Sequence, residues 1–245
     1  MLAFLKNHPF AVEAHFDRSL VLTFALPKSQ LARLIPEPLQ LDTFQDEWAF
    51  LAIAMVQTRS LRPKGFPQFM GNDFFLAGYR VFVRYHTLAG KRLRGLYILK
   101  SETDKKKMQW LGNTFTHYNY TTTDIETSLA SGTETIQSGK SDFHIQLGPS
   151  EHDPELPGAS PFDSWKEARR FAGPLPFTFT CDPVKKTVLI IEGVRSHWKP
   201  TPIQVRDFHF KFLEQRGLQE AILASAFEVR NIPYHWKKGK LESWK

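Results

Sequence analysis

Cysteine is nearly absent from the 245-residue chain, where Cys181 stands alone. A single thiol cannot close an internal disulfide, which excludes a secreted scaffold stapled by disulfides. Long apolar runs are missing as well. No stretch approaches the roughly eighteen apolar residues that a membrane-spanning helix needs. The opening segment MLAFLKNHPFAVEAHF turns polar too early for a secretory leader. These absences lead to the expectation of a cytoplasmic protein with no membrane partner. Also absent are GxGxxG, GxxxxGKS/T, CxxC, HExxH and GxSxG. The spacing of each such motif has a mechanical reason, so nucleotide, zinc and serine-hydrolase chemistry have no local anchor. The nine histidines show no metal-ligand spacing, and only loosely can His86, His117 and His144 converge. No metal and no cofactor are expected.

Aromatic rings are abundant: 21 Phe, 6 Tyr and 6 Trp. Rings fill wide gaps between sheets and also line ligand pockets. With 42% apolar and 23% charged residues, the chain can bury a core rather than stay disordered. β barrels and sandwiches often run to this length as one unit, and residues 1–245 are read as a single domain. The net charge of +7 favours anionic partners. Its lysines and arginines cluster at residues 91–107 and at Lys237, Lys238, Lys240 and Lys245. A nucleic-acid footprint would need these on one face. A small-molecule ligand of anionic character is therefore favoured over nucleic acid, and a homo-oligomer is compatible with the sequence.

Hydrophobic periodicity points to strands. Residues 19–26 are rich in strand formers, and residues 47–58 are so continuously apolar that they read as a buried strand. Residues 74–87 are the clearest case. Beyond Gly78, Arg80, Phe82, Arg84 and His86 alternate with Tyr79, Val81, Val83 and Tyr85. Residues 89–91 read as a turn, and residues 92–103 as the returning strand, with Leu96, Ile98, Lys100 and Glu102 on one face. Further strands are read at 116–129, 177–181, 187–194 and 203–212, with a small hairpin over 134–147. Residues 218–229 fit helix or strand. Short helices are read at 28–35 and 105–111. A third begins with Ser160 as cap, Pro161 at the first helical position and Asp163 behind it, and ends at Gly173-Pro174.

Charges two apart line one face of a strand, and antiparallel neighbours bring opposite charges together. Arg80, Arg84, Lys100 and Glu102 are accordingly placed on one face of the hairpin. If that face lines a cavity, an arginine can hold a carboxylate through two parallel hydrogen bonds. Lys100 can bind an anion or attack a carbonyl as a Schiff-base nucleophile, and Glu102 can tune that lysine or move a proton. If the face meets solvent, it is an ion-paired sheet surface. His117 and Tyr118, in FTHYNY, suit a pocket edge or an amphipathic strand. Arg195, in RSHW at a strand end, suits a binding rim or loop packing. Cys181 reads as an idle thiol.

Three stretches, LVLTFALPKSQLARLIPEPLQL, EWAFLAIAMVQT and GYRVFVRYHTLAGKRLRGLYILKSETD, resemble the DUF2071 (YqjF-like) family, which looks related in fold to acetoacetate decarboxylase. The resemblance covers residues 19–120. It implies a mixed, β-rich fold, an antiparallel sheet curled into a barrel or cone around a pocket, with a few short peripheral helices. In the decarboxylase, the Schiff-base lysine lies in a Glu-Gly-Tyr-Pro-Lys-Lys segment. Lys100, in YILKSET, lacks the Gly-Tyr-Pro before it and the second lysine after it, so no catalytic lysine carries over. Arg80 and Arg84, in GYRVFVR, match the family's arginine-bearing strand. Three functions follow as expectations. The first is a pocket protein for a small organic acid or apolar metabolite. The second is a decarboxylase-like enzyme for a keto acid, and the third a basic interaction module.

Overall fold

The structure is a computed structural model that describes residues 3–148, 154–173, 175–196 and 198–244. The runs richest in Val, Ile, Phe and Thr form seven strands, because such side chains pack well on a pleated surface. These are β1 (Val12–Pro27), β2 (Trp48–Pro63), β3 (Asn72–His86), β4 (Arg92–Thr103), β5 (Phe177–Asp182), β6 (Thr187–Arg195) and β7 (Ile222–Trp236). Each pairs with the next in chain order, and β7 pairs with both β6 and β1, so the sheet closes into a ring. All these joints are antiparallel except the one between β4 and β5. The seven strands are not spaced evenly round an axis. Strand accounts for 53% of the structure against 15% helix, which makes the fold β-rich as the sequence implies.

A second sheet of four strands packs on one face of the ring: Glu126–Ala130, Thr133–Ser138, Phe143–Leu147 and Val205–Phe210. Leu20, Leu22 and Phe24 of β1 meet Ile136, Ile145 and Phe210 there, all buried. The Phe24 ring stands edge-on to Phe208 and Phe210, at 5.2 and 6.0 Å. Arg18 of β1 joins the two layers by pairing with both Glu134 and Glu228. The opposite ring face carries a cavity. Ser19, Val21, Ala52 and Ala54 point into it, alternating with Leu20, Leu22, Ile53 and Met55 on the core side.

Four short helices lie at the periphery: α1 (Lys28–Ala32), α2 (Lys106–Phe115), α3 (Trp165–Ala172) and α4 (Lys211–Gln215). α3 starts later than Ser160 suggests. Its cap is Ser164, whose Oγ accepts from the Glu167 N–H at 3.2 Å, while the Glu167 carboxylate accepts from the Asp163 N–H at 2.9 Å. The Ser160 hydroxyl instead donates to the Ala224 carbonyl at 2.7 Å, which ties the preceding loop to β7. Residues 116–129 are not one strand but two short ones, Tyr120–Thr122 on the ring and Glu126–Ala130 in the second sheet. The strand expected at 203–212 stops at Phe210, and α4 follows. Residues 218–229 resolve in favour of strand, and β7 runs on through Pro233. That proline lies where β6 and the short strand Thr201–Pro202 give β7 no second partner, a position that tolerates the missing N–H. The basic tail also forms structure: Lys240–Ser243 adds an edge strand to β6, and Lys237 pairs with Glu192 at 2.9 Å.

Candidate functional site

The cavity has a volume of about 340 Å³ and draws walls from all seven ring strands, β5 contributing Thr178 alone, and from α2. Ala52, Ala54, Gly112 and Gly173 keep its walls low, and Phe16, Phe74, Phe82 and Phe115 give them their surface. Among its lining residues are neither lysine, aspartate nor glutamate.

Arg80 of β3 reaches into this space. Its guanidinium folds back over Gly78, with Nε only 3.0 Å and Nη2 3.1 Å from where a Cβ would stand on that glycine. Burial lowers its pKa, and the phenols of Tyr234, Tyr120 and Tyr118 stand around it. An arginine stays protonated through such a shift at ordinary pH. Its Nε has no hydrogen-bond partner, and no carboxylate lies within ion-pair distance among the described residues. Arg195 of β6 converges on the same space. Its guanidinium lies over the Trp198 ring at 4.4 Å and near Tyr234 at 5.8 Å. Burial lowers its pKa, and repulsion from Arg80 adds to the shift. Such a pair of guanidinium groups without acidic neighbours attracts an anion more strongly than it would in water, because the low local dielectric screens it less.

Other polar atoms at the cavity are also unpartnered among the described residues: Trp198 Nε1, His8 Nδ1 and Thr58 Oγ1. Burial holds the His8 imidazole below its usual pKa. The Tyr118 hydroxyl shares a 2.8 Å hydrogen bond with Thr178 Oγ1, and burial pushes its pKa up to about 12. Tyr120 and Tyr234 are raised by burial as well, so all three phenols stay neutral. Gly193 has a specific reason to be glycine: a Cβ there would stand 1.9 Å from the Tyr234 hydroxyl, so only glycine lets that phenol cross β6.

The four charges placed together by strand alternation are separated. Pairing across the β3–β4 hairpin slips between Tyr79↔Lys100 and Arg80↔Ile98, leaving Leu99 as an extra residue. A bulge of this kind inverts which face the later side chains take. Leu96 and Ile98 share the cavity with Arg80, then Ser101 takes the next cavity position, and Lys100 and Glu102 turn to the core side. Asn119, in the left-handed region at φ 53°, donates from Nδ2 to the Leu99 carbonyl at 3.3 Å and so braces the bulge. Glu102, only 1% exposed, accepts from the Tyr79 hydroxyl at 2.8 Å, from Ser141 Oγ at 2.7 Å and from Lys100. Lys100 is thus engaged in an ion pair within β4, and the Ser141 hydrogen bond to Glu102 ties the ring to the second sheet.

Arg84 keeps the expected face but not the expected neighbours. Together with Arg94 it clasps Asp42, which is fully buried; the Arg94 Nε lies 2.6 Å from the carboxylate. Arg94 also donates to the Phe171 carbonyl at 3.0 Å and stacks on that ring at 5.0 Å, fastening α3 to the sheet. His117 is turned outward and exposed while its neighbour Tyr118 faces the cavity. His86 lies at the end of β3, and His144 pairs with Asp207 at 2.6 Å in the second sheet. Among the described residues no three His, Cys, Asp or Glu side chains are grouped to hold a metal. His197, beside Arg195, lies outside the described residues. The Cys181 thiol is half-buried, and burial pushes its pKa up to about 12. Tyr120, in FTHYNY, faces the cavity with Tyr118, whereas His8 lies too near the start to be placed from sequence, and Tyr234 and Trp236 lie beyond the segment read at 218–229. The alternation of Tyr234 and Trp236 about His235 was the available signal.

The closed β ring is shared with solved structures of acetoacetate decarboxylase-like proteins. The chain aligns in structure with acetoacetate decarboxylase from Legionella pneumophila at a TM-score of 0.63 and 10% identity, covering 96% of this chain and 88% of that one. It aligns with the enduracididine biosynthesis enzyme MppR, solved as a complex with pyruvate, at a TM-score of 0.61 and 9% identity, covering 95% and 90%. An acetoacetate decarboxylase-like enzyme from Sphingomonas wittichii RW1 gives a TM-score of 0.56 and 12% identity, covering 98% and 95%. At such identities the likeness establishes the fold. The chain belongs to the DUF2071 family, described as uncharacterized conserved proteins, whose model matches residues 13–240. No curated protein matches it in sequence. Among the described residues no helix is long and apolar enough to cross a membrane.

Proposed function

We propose that this protein binds a small organic acid in the ring cavity, with the ligand carboxylate on Arg80 and Arg195. The observation that carries this reading is the contrast among its buried arginines. Arg18 and Arg84 each have a carboxylate, whereas Arg80, half-buried with its Nε shielded from solvent, has none among the described residues. A buried charge without a partner is costly unless something else pairs it, and a ligand carboxylate meets a guanidinium with two parallel hydrogen bonds. Tyr118 and Tyr234 supply neutral O–H groups beside it, and the Trp198 N–H supplies another donor. Titration with short carboxylates tests the reading. Arg195→Gln is expected to weaken binding about tenfold, the scale of one charged hydrogen bond. Equal affinity in wild type and variant would contradict a role for Arg195.

A second reading is lysine-dependent turnover of a keto acid, supported by the fold shared with MppR, itself solved with pyruvate. It requires an amine at the ligand, and the lining residues include no lysine. Borohydride reduction in the presence of pyruvate separates the two readings by mass. The binding reading expects an unmodified protein, and a pyruvate adduct on Lys100 would favour turnover.

A further inference from the structure

The cavity carries two kinds of surface, a few charged groups and broad apolar walls, and they call for different chemistry in one ligand. Its charged groups without a carboxylate are gathered: Arg80 and Arg195 feel each other, and Tyr234 faces both, whereas Arg62, also on the lining, pairs with Glu13 at 2.7 Å. The remaining walls are mostly apolar. Leu61, Phe74 and Met108 line the cavity as part of a small cluster that also takes in Tyr118 and Tyr120. Val21, Phe82 and Leu96 line it as part of another. Small residues in β2, Ala52 and Ala54, leave the room between these walls open. A space of about 340 Å³ is far more than a carboxylate with one or two carbons fills. Pockets of this size and lining hold ligands that bury most of their own apolar surface.

We infer that the ligand is an amphipathic monocarboxylic acid, with its carboxylate at Arg80 and Arg195 and an unbranched or ring-bearing hydrocarbon body along Phe74, Phe82, Leu96 and Met108. The inference rests on the carboxylate-binding reading and adds the class of body that the acid carries. A polar body would leave its own hydroxyl or amide groups desolvated against aromatic walls, at the cost of their hydrogen bonds to water. A hydrocarbon body gains from each carbon moved out of water.

The test is calorimetric titration of the full-length protein with straight-chain carboxylates from acetate to decanoate. Affinity is expected to rise about fourfold per added methylene, the ratio that burial of one methylene gives, and then to level off once the cavity is full. In Ala54→Leu the rise is expected to end at a shorter chain, because the leucine occupies part of the space. Binding that is equal for acetate, hexanoate and octanoate would overturn the hydrocarbon body and leave the carboxylate site standing. Binding of none of the series would overturn both. The wild-type series decides the matter even if the leucine variant folds poorly.

Discussion

Arg80 and Arg84 leave the same face of β3 four residues apart and end in opposite surroundings. Arg84 shares the buried Asp42 carboxylate with Arg94 and helps to fasten α3 to the sheet. Arg80 meets only phenols, Gly78 and open space, with no carboxylate among the described residues. The same side chain on the same strand face therefore serves structure at one point and stands without a carboxylate at the other. The difference arises from what the opposing chain brings. Asp42 comes from the segment after α1, paired by its N–H to the Phe82 carbonyl at 3.0 Å. Nothing comparable covers Arg80, because the facing positions on β2 are alanine.

The largest effect is expected where the pairing is removed. Asp42→Ala leaves two guanidinium groups without their carboxylate. It should destabilise the fold by about 2 kcal/mol in urea unfolding, less than a fully buried pair because both arginines reach water at their edges. Arg80→Met should do the reverse. It replaces an uncompensated buried charge by an apolar side chain of similar reach, and the ligand-free protein should gain about 1 kcal/mol. A loss like that of Asp42→Ala would mean that Arg80 is a structural residue after all. Gly78→Ala probes the comparison more gently. The added methyl group crowds the Arg80 Nε, and the forced rotamer change should weaken carboxylate binding about fivefold with little change in stability.

The smallest effect concerns pH. Burial lowers the folded-state pKa of His8 below the usual 6.5. Below pH 6.5 the unfolded chain binds this proton and the folded protein resists it, so stability falls as pH drops from 6.5 toward the folded value. His8→Gln should flatten that part of a thermal-unfolding profile against pH, and an unchanged profile would assign the loss to other groups.

Much of this was legible in the sequence, and the exceptions have physical causes. The two hairpin strands are readable because Arg, Phe and Tyr alternate with a period of two from Gly78 onward. The side occupied by Lys100 was not, because one extra residue at Leu99 inverts the pattern, and the Asn119 side chain that braces it comes from another segment. The Asp42 partnership was hidden for the same reason, since a contact between residues 42, 84 and 94 leaves no periodic trace. β7 was readable only to residue 229, because Pro233 and the basic tail resemble the end of a fold. Tyr234 and Trp236 went unread with it. The gathering of Tyr118, Arg195 and Tyr234 around Arg80 depends on ring closure between β6 and β7, which only three dimensions reveal.

The most direct test of the central claim is a titration of hexanoate into wild-type protein and Arg80→Met, followed by calorimetry with the fold monitored by circular dichroism. Binding in the wild type and its loss by at least tenfold in a fully folded Arg80→Met would be the expected result. Equal hexanoate affinity in the two proteins would contradict the assignment of Arg80 as the carboxylate-binding group.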